Sequence, residues 1–163
     1  MKGRIEIRVS NSRASFHFTL ERNITIVRGD SGTGKTTLYD MIAEHTRLGK
    51  DSGVQIAAAC ACVALTDLDW QNQLRHTQGS AVFIDEGATY LASKEFAAAI
   101  RDTDNYYVIF NRENLHELPY SVEEIYEIKP AANIIPSRRS ISGGKAMFIL
   151  PPMVGKKLRP MLC

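Results

Sequence analysis

The chain has 163 residues, 44% of them hydrophobic, enough for one well-filled core and within the range of a single domain spanning 1–163. Its 20 basic and 18 acidic side chains nearly cancel, so net charge gives no electrostatic case for a nucleic-acid partner, and no stretch approaches the roughly 18 apolar residues of a membrane span. Three cysteines, with Cys60 and Cys62 inside an apolar run, argue against a disulfide framework, and the first residues lack the apolar centre of a signal peptide; a cytoplasmic protein is expected.

Ile5, Ile7 and Val9 alternate with charged residues, and Phe16, Phe18 and Leu20 alternate with His17 and Thr19. Period two predicts two strands, each with one buried face, joined at Asn11-Ser12 as an N-terminal β-hairpin. A third strand is expected over 23–28, and Leu38, Met41 and Ile42 are spaced for a helix from Thr37 to about 47. After a turn at 50–53, the apolar run 54–65 predicts one buried strand, on which Cys60 and Cys62 would share a face. A short helix over 70–76, a doubly buried strand over 81–84, a helix over 93–101 and a strand over 106–110 follow. Strands alternating with helices across 23–110 describe an α/β fold, a mainly parallel sheet covered by helices. The segment 121–128 reads as a capped turn entering a short strand, and Gly143-Gly144 as a hairpin turn between 140–142 and 146–150. An irregular tail is expected from Pro151.

The run Gly29-Asp30-Ser31-Gly32-Thr33-Gly34-Lys35-Thr36 satisfies G-x-x-x-x-G-K-[ST] at every fixed position, between an apolar strand and a helix. Glycines let the backbone wrap closely around a phosphate chain, its N–H groups point inward, and the helix adds its positive end. The expected nucleotide-binding set is therefore 29–37, from Gly29 to Thr37, with Lys35 reaching the β- and γ-phosphates and Thr36 holding Mg²⁺. About fifty residues on, Asp85 and Glu86 end an apolar strand. An acid there can hold Mg²⁺ through its water shell (Asp85), and the next can orient and deprotonate an attacking water (Glu86).

With these two elements the chain resembles the additional-strand, catalytic-glutamate class of P-loop ATPases, which includes AAA-type, ABC-type and RecA-like enzymes. The resemblance covers roughly 5–128 and implies a P-loop NTPase fold, ATP and Mg²⁺ as ligands, and a strand inserted between the loop strand and the acid-bearing strand. It also implies a polar sensor of the γ-phosphate at the end of that inserted strand, where Asn111 stands. The hairpin is similar to the entry of ABC-type heads. An ABC signature before the acidic pair is absent, though, and His116 lies five residues beyond the position of the ABC switch histidine. His17, His45 and His76 have packing or surface roles. The base-reading Asn-Lys-x-Asp string of GTPases is missing, which favours ATP over GTP.

The function expected is an ATPase coupling hydrolysis to conformational change in an unknown protein partner or in a self-assembly. A P-loop small-molecule kinase, and a nucleotide-gated binding module with little hydrolysis, are the alternatives. Glu86 directly after Asp85 favours water as the acceptor. Arg112, Arg138 and Arg139 are the candidates for an arginine supplied across an interface.

Overall fold

The computed structural model describes residues 3–29, 32–120, 124–130 and 145–150, with the side chains of 129–130 and 145–150 outside that description. The strands β1 (Ile5–Ser10) and β2 (Ala14–Leu20) form the expected antiparallel hairpin, with Ile7 facing Phe18 and Val9 facing Phe16. Asn11 makes the turn: its Oδ1 accepts from the N–H groups of Arg13 and Ala14, each at 2.9 Å.

The chain then enters β3 (Ile24–Arg28), α1 (Lys35–Leu48), β4 (Gln55–Ala58), β5 (Cys62–Leu65), α2 (Trp70–Arg75), β6 (Ala81–Ile84), α3 (Lys94–Arg101), β7 (Tyr106–Phe110), β8 (Ile125–Pro130) and β9 (Lys145–Leu150). The nine strands among the described residues form one sheet in the order β4-β1-β2-β9-β8-β3-β7-β6-β5. Its second half, β8-β3-β7-β6-β5, is parallel throughout. That half is the helix-covered parallel sheet expected from the alternation of strands and helices.

Alternation along each buried strand divides the core between the two faces. Val27, Phe83, Val108 and Phe110 pack with Leu38, Met41 and Ile42 of α1 and with Phe16 and Phe18 of the hairpin. Ile24, Ile26, Val82, Ile84, Tyr107 and Ile109 face the other way, onto Trp70 and Leu74 of α2 and Phe96 and Ile100 of α3. Rings set both layers: Phe96 lies 5.0 Å from Tyr90 and 5.5 Å from Trp70, and Phe83 lies 6.2 Å from Phe18. Ser93 caps α3, its Oγ accepting from Phe96 N–H at 3.1 Å.

Two expectations are corrected. The run 54–65 is two strands: β4 pairs antiparallel with β1 at one edge of the sheet, while β5 pairs parallel with β6 at the opposite edge. Its small apolar residues suit either position, and no Gly or Pro marks the bend between them. Cys60 therefore lies in the bend and Cys62 in β5, yet both still pack on the α1 side of the core. At the C-terminal end, β9 runs antiparallel to β8 and parallel to β2, joining the parallel half to the hairpin. The expected Gly143-Gly144 turn and the tail from Pro151 lie outside the described residues. Helix α1 also begins at Lys35, two residues before its expected start.

Candidate functional site

Parallel strands open their carboxyl ends on one side of a sheet, where ligands of open α/β sheets bind. Here that side collects Gly29 after β3, Asp85 and Glu86 after β6, and Asn111 and Arg112 after β7. Strand β7 lies between β3 and β6, with Val27 beside Phe110 and Ile109 beside Ile84. The loop strand and the acid-bearing strand are thus one strand apart, an adjacency between residues some fifty positions distant in sequence.

The loop's glycines meet real conformational demands. Gly29 has φ +147, and a Cβ there would come within 3.1 Å of Thr33 Oγ1, so a side chain would be both strained and crowded. Gly34 adopts the left-handed region at φ +103 as the residue before α1, and its carbonyl accepts the helix's first backbone hydrogen bond from Leu38 at 2.9 Å. Among the described residues no side chain caps this helix start, and no acid occupies its first turn. Thr36 and Thr37 are exposed on that turn; Asp30 and Ser31 lie outside the described residues.

Lys35 is 6% exposed, and its Nζ donates to the Gly29 carbonyl, closing the loop from its last part back to its first residue. The lysine is therefore a loop-forming group as well as a candidate ligand, which local sequence did not reveal.

Asp85 is half-buried directly after β6. Its charge, after desolvation, is the next largest influence raising the Asp40 carboxyl above the usual range, and it also raises the Tyr39 hydroxyl. Tyr39 and Asp40 lie one turn from Thr36, so the Asp85 charge is felt on the helix that carries the threonine. No group of three His, Cys, Asp or Glu among the described residues could hold a metal by itself. Mg²⁺ in nucleotide sites uses one or two protein oxygens plus phosphates and water, and a threonine hydroxyl with one carboxylate fits that need.

Glu86 is paired: Arg112 Nε lies 3.0 Å from its Oε1, with the two side chains 52% and 37% exposed. Arg112 stands one residue beyond Asn111, beside the end of β6. Asn111 is 9% exposed; its N–H donates to Val27 O at 3.2 Å and its Oδ1 accepts from Glu113 N–H at 2.9 Å. Its side-chain oxygen thus caps the turn after β7. His116 sits exposed in the loop that follows, as expected, and Arg138 and Arg139 lie outside the described residues.

One contributor went unnoticed in the sequence. Arg28, immediately before Gly29, falls on the face opposite α1 by alternation. Its Nη2 donates to Asn114 Oδ1 at 2.6 Å, while its Nε is buried with no hydrogen-bond partner among the described residues. Arg28, Gly29, Thr33, Arg112, Glu127 and Ile128 line a cavity of about 400 Å³ beside the loop. Among the described residues, no helix is long and apolar enough to cross a membrane. No protein-family model matches the chain, and no curated protein matches its sequence.

Proposed function

We propose that the chain is a Mg²⁺-dependent ATPase with a P-loop NTPase fold, whose hydrolysis cycle drives a conformational change in a partner or in an assembly of its own copies. The observation that carries this reading is the strand order β3-β7-β6, with a glycine loop entering a helix at one strand end and an Asp-Glu pair at another. The glycine loop and the acid pair, about fifty residues apart in sequence, thus lie one strand apart, which supports reading them as the two halves of a phosphoanhydride-cleaving site.

In this reading the amides of 29–37 and the Lys35 ammonium bind the phosphate chain. Thr36 and Asp85 would hold Mg²⁺, which neutralises charge on the phosphates when bound. Glu86 accepts the proton of the attacking water, and Asn111 orients it through the amide group not used by its turn. Water is a sufficient acceptor for these residues, which favours hydrolysis over transfer to a small molecule.

Phosphate release from ATP with Mg²⁺ and no added acceptor tests the proposal. Turnover that Glu86→Gln abolishes supports it. Phosphate transfer only to an added acceptor would replace it with the kinase alternative, and tight binding without release would replace it with a nucleotide-gated module. If self-association completes the site, specific activity rises with protein concentration.

A further inference from the structure

We infer that Arg112 is a switch shared between Glu86 and the terminal phosphoryl group of a nucleoside triphosphate, releasing the glutamate only when that phosphoryl group enters the cavity beside the loop. The inference rests on the nucleotide reading above and adds the regulation of the same site. Three observations carry it. Arg112 holds Glu86 at 3.0 Å and also lines the cavity of about 400 Å³ that Gly29 and Thr33 of the loop border. The same cavity is walled by Arg28, whose buried Nε has a proton and no acceptor among the described residues. Buried donors are almost always satisfied, and a phosphoryl oxygen is an acceptor of the right charge.

Relative strengths decide the direction of the exchange. The Arg112–Glu86 pair is half exposed, and an exposed pair of this kind is worth up to roughly fivefold in an equilibrium constant. A charge-assisted contact between a guanidinium and a phosphoryl oxygen is worth roughly 10- to 150-fold. The phosphoryl group therefore wins Arg112, and Glu86 is left to face water. A diphosphate lacks the competing group, so it leaves the ion pair intact. Arg28 is held by Asn114, its Nη2 donating to Oδ1. The arginine thus acts within one chain, whereas the sequence suggested it as a group donated across an interface.

The test is a double-mutant cycle on nucleotide affinity, read by calorimetry with a non-hydrolysable ATP analogue and with ADP, both with Mg²⁺. Arg112→Gln should weaken the triphosphate roughly 2- to 150-fold, the lost phosphoryl contact less the ion pair that no longer has to be broken, and leave ADP unchanged. Glu86→Gln should tighten the triphosphate by up to roughly fivefold, again without effect on ADP. In the Arg112→Gln background the gain from Glu86→Gln should vanish, because no pair remains to be broken. An equal gain in both backgrounds would show that Glu86 acts as a general negative charge, and would overturn the switch while leaving the nucleotide site standing. Binding that ignores Lys35→Ala, or no binding at all, would overturn both.

Discussion

Replacing Lys35 by Ala separates the loop-forming role that the structure gives this side chain from the phosphate-binding role proposed for it. As a loop-forming group, it donates to the Gly29 carbonyl from a site only 6% exposed, and losing that hydrogen bond costs about 1 kcal/mol. For a domain of 163 residues that lowers Tm by about 2–4 °C. As the proposed phosphate ligand, it would contribute a charge-assisted contact of about 1.5–3 kcal/mol, so ATP should bind the variant about 10- to 150-fold more weakly. The two effects part company when ligand is added. At a concentration 100 times the wild-type Kd, ATP stabilises the native protein by about 2.7 kcal/mol, a rise of about 5–11 °C. At the same concentration the variant gains only about 0.3–1.4 kcal/mol, a rise of about 1–6 °C. Thermal melts with and without ATP and Mg²⁺, checked by calorimetry, measure both. A variant that melts lower but keeps the full ligand-induced rise would refute the phosphate role and leave Lys35 a structural residue alone.

Glu86→Gln should keep Mg²⁺-dependent ATP binding while turnover falls by about two orders of magnitude or more, and Asp85→Asn should weaken the Mg²⁺-dependent binding itself; equal, mild losses in steady-state rates and affinities would contradict these roles. Asn105 is fully buried, with its Oδ1 accepting from Ser80 N–H at 3.0 Å and its Nδ2 donating to Thr77 O at 2.8 Å, just before the strand that carries the acids. Asn105→Ala orphans both backbone groups and should cost about 2–5 kcal/mol in urea unfolding, a loss under about 1 kcal/mol counting against the argument. Burial pushes the Cys62 thiol up to about 12, so the native state holds this proton longer than the unfolded chain does. Stability should therefore fall as pH rises above the ordinary thiol range, by at most about 1.4 kcal/mol per pH unit, and Cys62→Ala should flatten that slope in unfolding measured across alkaline pH.

Local chemistry alone was enough for the glycine turn that leads from β3 into α1, the hairpin and the helix-covered parallel sheet. Glycine spacing records where the backbone must take positive φ, as at Gly34, and period two in 5–9 and 16–20 records which face each strand buries. Both are properties of neighbouring residues, so they survive in a linear reading. The division of 54–65 between opposite edges of the sheet does not, because short apolar residues suit either edge and only the partner strands, β1 and β6, distinguish them. The same holds for the site's ion pair and for Arg28. Alternation assigns a side chain its face, whereas its neighbour depends on strand order, settled by packing α1 on one face and α2 and α3 on the other. That order sets β7 between β3 and β6, and so brings Arg112 to Glu86 and encloses Arg28 with the loop, contacts that exist only once the strands have found one another.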